Sequence, residues 1–112
     1  MLIEFDKMET EVIPHMRDGE KEVLMERYVD PMTRIMRGRL VPGASIGLHT
    51  HDTSCEVFYI ISGRGKILYD DGCEPLEAGS CHFCPKGHSH SLINDSPEGG
   101  EDLCFFAVVA EQ

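Results

Sequence analysis

Ten residues stand at fixed intervals in the middle of this chain: Gly43, His49, His51, Glu56 and Gly63, then Gly79, Pro85, Gly87, His90 and Asn94. Four of them bear groups that can do chemistry. The imidazoles of His49, His51 and His90 and the carboxylate of Glu56 are nitrogen and oxygen donors of intermediate hardness. Such donors suit Fe(II), Mn(II), Co(II), Ni(II) or Zn(II), and suit Cu(I) or Ca(II) poorly. Strand periodicity supports a shared pocket. Ser45, Gly47, His49 and His51 alternate with Ala44, Ile46 and Leu48, which sets small and ligating groups on one face and apolar groups on the other.

The two runs read G-x5-H-x-H-x4-E-x6-G over 43–63 and G-x5-P-x-G-x2-H-x3-N over 79–94. In this the chain resembles the cupin superfamily, whose two signature motifs it matches without a gap or substitution. The resemblance covers Gly43 to Asn94, nearly half of the 112 residues. It implies an all-β fold, a double-stranded β-helix or jelly-roll barrel. It also implies that His49, His51, Glu56 and His90 ligate one divalent transition metal, Mn, Fe, Ni, Co or Zn, with the choice not encoded. An ion of that charge beside an ionised Glu56 and three neutral histidines leaves the site at about +1. A small anionic ligand is therefore expected: a carboxylate, a 2-hydroxy or 2-oxo acid, or an enolate. Cupins include decarboxylases, isomerases, dioxygenases and non-catalytic binders, and fold alone does not choose among them. The alternatives to an enzyme are a small-molecule binding or sensing cupin and a scaffold built around structural tetrahedral zinc.

Outside the ligand set, His88 stands two residues before His90, so a regular strand would turn it into the same pocket as a proton shuttle; otherwise it is a rim histidine in solvent. Arg37 and Arg39 share a strand face and either clamp an anionic substrate or decorate the surface. Asn94, four residues past His90, is expected to hydrogen-bond backbone, and Gly43, Gly63, Pro85 and Gly87 to shape it. His15 and His82 carry little weight as site residues, and Cys55 reads as core rather than nucleophile.

The elements that must hold this site read as strands. Glu22–Val29 and Arg34–Val41 come first, then strands through the motifs, with Asp70-Asp71-Gly72 as a type I′ hairpin signal. Leu103–Ala110 closes the series, and Met8–Val12 is a weak helical segment. The length suits one domain, residues 1–112, with 1–33 as an N-terminal extension. Its Glu22–Val29 strand is expected to complete the sheet of a partner in a homodimer, which would protect an edge. Twenty acidic against ten basic residues give a formal charge of -10. That charge repels nucleic acid and anionic membranes. The five cysteines include a C-x2-C pair with no second pair to make a zinc ribbon, and no secretory signal or membrane-length apolar run is seen. Free thiols and a cytoplasmic location are the expectation.

Overall fold

Apolar and β-branched runs cut by Gly, Pro and Asp turns give ten strands in the computed structural model, which describes residues 1–112. They are β1 (Glu11–Pro14), β2 (Glu22–Val29), β3 (Thr33–Leu40), β4 (His49–Thr50), β5 (Ser54–Ser62), β6 (Gly65–Tyr69), β7 (Gly72–Leu76), β8 (Cys81–Cys84), β9 (Ser89–Ile93) and β10 (Leu103–Glu111). Single 3-10 turns occupy Phe5–Lys7 and Met16–Asp18. The strands form a six-stranded sheet, β1-β2-β3-β10-β5-β8, and a four-stranded sheet, β4-β9-β6-β7. This is the all-β jelly roll expected from the motifs. No helix is long and apolar enough to cross a membrane.

The core lies between the sheets. Val23, Met25, Met36, Leu40, Phe58, Ile60, Leu103, Phe105, Ala107 and Val109 project from the larger sheet onto Ala44, Ile46, Ile67, Leu76 and Leu92. Phe105 meets Phe58 edge-on at 5.3 Å, the favoured geometry for paired rings. Asn94 is wholly buried. Its amide donates to the Leu40 and Glu101 carbonyls, both at 2.9 Å, and its Oδ1 accepts the Ser96 N–H at 3.1 Å. The side chain therefore ties three backbone segments together, as expected, and stands apart from the chemistry.

Several elements differ from the sequence reading. Met8–Val12 forms no helix: Val12 and Ile13 instead enter the edge strand β1, paired to β2, and Pro14 ends it. An edge tolerates proline because its missing N–H is not needed there. Strand β2 lies between β1 and β3 of its own chain. Residues 44–51 run alongside β9 with only His49–Thr50 as regular strand and a bridge from Ser45 to Ile93. The β6–β7 hairpin has Asp70-Asp71 as its two loop residues, and only Asp70 has positive φ, 49°. A type I′ turn needs both. The tip is set instead by β9, because the Asp70 carboxylate accepts the Ser89 N–H at 3.0 Å and the Asp70 N–H donates to the Ser89 carbonyl at 2.9 Å.

Backbone contact closes the barrel beside the site. Residues 15–21 pass so near the approach to β4 that a Cβ on Gly47 would sit 1.9 Å from the Arg17 carbonyl oxygen. The Gly47 and Ser45 N–H groups donate to the Met16 and Glu20 carbonyls, each at 3.0 Å. This strap holds His15, Arg17, Asp18 and Lys21 at positive φ.

Candidate metal centre

Strands β4 and β9 pair with His49 opposite His90. Directly paired residues project from the same face, so both imidazoles point into the barrel. His51 follows β4 and keeps the pairing, its N–H donating to the His88 carbonyl at 3.0 Å. Glu56 comes from the facing sheet, on β5. The four side chains converge, their ligand atoms all within 4.8 Å of one another, and form a group that could hold a metal ion. His51 Nε2 and His90 Nε2 lie 3.0 and 2.9 Å from the same oxygen, Glu56 Oε1, and 2.9 Å from each other. His51, Glu56 and His90 are buried, and His49 is half-buried at the opening.

The outward nitrogen of each histidine is also engaged, which is how ligating imidazoles are oriented. His49 Nδ1 donates to the Gly47 carbonyl at 2.7 Å. Since a carbonyl can only accept, His49 Nε2 is left as a lone pair. His51 Nδ1 lies 2.9 Å from Ser54 Oγ, and His90 Nδ1 lies 3.2 Å from His82 Nε2. Burial lowers the His49 pKa to about 4 against the opposing effect of the Gly47 bond. Burial resists ionisation of Glu56, but the hydrogen bonds from His51 and His90 outweigh it and hold the carboxyl down at about 2. At neutral pH the set therefore offers an anionic oxygen and a neutral His49, the forms that ligate.

Three comparisons bear on this arrangement. A family model for the cupin domain matches residues 36–106. The chain belongs to the cupin family. This cupin is 35% identical to an oxalate-binding protein of Thermotoga maritima over 116 aligned positions, covering 97% of this chain and 93% of that one. It superposes with a TM-score of 0.90 and 32% identity on the crystal structure of a predicted oxalate decarboxylase from the same organism, with all of each chain covered. It also shares its fold with KdgF from Halomonas, at a TM-score of 0.78 and 14% identity, over all of this chain and 95% of that one.

The cavity of this cupin opens over His49, His51 and Glu56 against a wall that includes Met25, Met36, Ile46, Phe58 and Phe105. Arg17, Arg27 and Arg34 also line it. Arg37 and Arg39, which the sequence left between clamping a substrate and decorating the surface, do not. Arg37 is bound to Glu26 and Asp6, both at 2.8 Å, and Arg39 faces Asp102 at 3.8 Å. Parity along β3 explains the difference, because Met36 and Leu40 mark the core face, and Arg34 shares it while Arg37 and Arg39 point outward. The same count along β2 puts Arg27 in line with buried Val23 and Met25. Arg17 carried no such signal, since it arrives on the irregular strap.

His88 is also outside the lining. Its Nδ1 lies 2.6 Å from Asp70 Oδ2 and its ring stacks on Tyr69, centroids 5.6 Å apart. The strand begins only at Ser89, so the alternation that would have turned His88 inward does not reach it. His15 Nδ1 donates to the Gly19 carbonyl at 3.0 Å and belongs to the strap. A second trio, His82, Cys84 and His90, also brings potential ligand atoms within 4.8 Å. Burial pushes the Cys84 thiol up to about 11, however, so at neutral pH it stays protonated and is a poor ligand.

The lowered pKa values set the acid behaviour of the metal-free protein. His49 titrates at about 4 when folded and about 6.5 when unfolded, so the unfolded chain takes the proton first. Its contribution to stability is complete above about 6.5 and is lost as the pH falls to about 4. Glu56 acts in the same direction in a lower window, from its unfolded value of about 4.3 down to about 2. We therefore predict that the melting temperature in chelator falls on acidification below about pH 6.5, and that His49→Gln flattens the upper part of this fall while leaving the lower part. A melting temperature independent of pH over this range would contradict the assignment.

Proposed function

We propose that this cupin captures a small dicarboxylate on a divalent transition metal held by His49, His51, Glu56 and His90. The observation that carries the reading is the charge of the cavity. A chain of net charge -10 lines this one cavity with three arginines against a single carboxylate. Glu11 takes Arg27 in a two-pronged pair at 2.9 and 3.0 Å, and Glu111 stands 3.9 Å from Arg34. Arg17 makes no ion pair. It is the guanidinium free to fork onto a ligand carboxylate.

Size points the same way. The cavity gives the centre of a water molecule about 40 Å³, room for roughly three waters at 10–15 Å³ each. A two-carbon diacid suits it, and the name of the Thermotoga oxalate-binding relative accords with that chemistry. When bound, the ion supplies Lewis acidity toward the ligand's carboxylate oxygens. Beyond ligands and arginines, no side chain that could shuttle a proton lines the cavity, and this favours binding or sensing over decarboxylation, isomerisation or dioxygenation. All five cysteines are free, in keeping with a reducing compartment such as the cytoplasm.

Oxalate titrated calorimetrically into Mn(II)-loaded protein should bind, and should not bind metal-free protein. Arg17→Gln should retain the metal and weaken oxalate about ten- to hundredfold, the loss of a charge-assisted hydrogen bond. Oxalate should be recovered unchanged after prolonged incubation, whereas steady product formation would make the protein an enzyme. Equal binding with and without metal would refute the reading.

We also propose a homodimer, formed through the outer face of β5 and β8 rather than by exchange of β2. Tyr59, Ile61 and Phe83 leave about half their surface exposed there, at 46%, 49% and 52%. Val57 pairs directly with Phe83 in the register that joins the two strands. In sizing with light scattering the protein should elute as a dimer and Phe83→Glu as a monomer. A monomeric wild-type protein at micromolar concentration would defeat the proposal.

A further inference from the structure

The pairing of β2, β3, β10 and β5 divides the inner face of the larger sheet into layers. In the layer of the metal ligands, Arg34 pairs with Val109 and Val109 with Glu56. The next layer inward sets Arg27 beside Met36, Met36 beside Ala107, and Ala107 beside Phe58. A third holds Met25, Gly38, Phe105 and Ile60. Below it lie Val23, Leu40 and Leu103, all buried. Each of the first three layers sends side chains to the cavity wall, Met25 and Phe105 among them, and the lowest layer sends none. The third layer is therefore the floor.

One residue of that floor has no side chain. A glycine inside a strand marks a place where another group comes close to the backbone, and here the group is the Phe105 ring. A Cβ on Gly38 would stand 2.5 Å from Phe105 Cζ and 2.9 Å from its Cε2, well inside the 3.5–4.0 Å at which carbon atoms pack. Phe58 holds the flank of the ring, edge-on at 5.3 Å, and itself packs 5.3 Å from the His90 ring. With the layer beneath filled and Phe58 alongside, the cavity is the open volume into which the ring can move.

We propose that Phe105, seated on Gly38, sets the length of the dicarboxylate that the site accepts, two carbons in the wild-type protein. The inference rests on the dicarboxylate reading above. Away from His49, His51 and Glu56 the cavity ends at this apolar wall, so an added methylene must find room against it. A methylene too many in such a pocket is worth roughly 10- to 200-fold in discrimination.

Oxalate, malonate and succinate titrated calorimetrically into Mn(II)-loaded protein test this, because comparing each variant with the wild type cancels the ion's own preference among chelates. Phe105→Leu keeps an apolar side chain but removes the ring, and should narrow the preference for oxalate over malonate about tenfold. Gly38→Ala should drive the ring into the cavity, widen that preference and weaken oxalate itself. Crystals of metal-free Gly38→Ala should show the displaced ring. General loosening of the barrel would move both variants the same way, so opposite signs separate a ruler from a packing defect. If Phe105→Leu does not fold, Gly38→Ala decides alone. An unchanged oxalate-to-malonate ratio in the folded variants would overturn the proposal, as would malonate binding to the wild-type protein as tightly as oxalate. Failure of the loaded wild-type protein to bind oxalate at all would defeat the dicarboxylate reading, and the length rule would fall with it.

Discussion

An ionised carboxylate buried between two β-sheets is the constraint to which the rest of this structure answers. Glu56 is 5% exposed, and a buried charge is costly unless paired and hydrogen-bonded. Its Oε1 accepts hydrogen bonds from two imidazole nitrogens of the opposite sheet, which hold the carboxyl ionised and aim both nitrogens at a common point. The barrel is needed because no single sheet could supply these groups. The β4–β9 ladder sets His49 beside His90, β5 carries Glu56 across the core, and Phe58, two residues along β5 from Glu56, packs its ring 5.3 Å from that of His90. A shift of one residue in the pairing of β5 would turn Glu56 outward and leave the histidines without their anion.

Around this anionic point the protein arranges an unusual distribution of charge. Acidic residues dominate the chain, yet the surface of the cavity is cationic, because Arg27 and Arg34 use the inward parity of β2 and β3 and Arg17 rides on a strap held by backbone hydrogen bonds. Non-glycine residues at positive φ cost of order 1–3 kcal/mol each, and such strain tends to collect at ligand sites. The strap holds four of them, Arg17 among them. This accords with a role for Arg17 in meeting the ligand rather than in filling the core.

The convergence of His49, His51, Glu56 and His90 and the barrel that brings it about were legible in the sequence because motif spacing and strand alternation are local properties. Strand β2 was read with its observed ends, and Asn94 was read correctly as a backbone tie. What escaped depended on the partner of each element. Arg37 and Arg39 do share a face, but which face is inward is declared by Met36 and Leu40, a parity signal that could have been used. His88 lies just before β9, where alternation has not begun. The hairpin tip obeys Ser89 rather than its own Asp-Gly, and β2 finds neighbours in its own sheet. The seating of Phe105 on Gly38 joins β10 to β3, which stand on either side of the two motifs, so no sequence spacing could reveal it.

The central claim is that these four side chains hold one ion. Anomalous diffraction from crystals grown with Mn(II), recorded on both sides of the manganese edge, tests it most directly. The account predicts one peak per chain, about 2.0–2.3 Å from His49 Nε2, His51 Nε2, His90 Nε2 and a Glu56 oxygen. No peak at this point, or a peak at His82 and Cys84 instead, would contradict it.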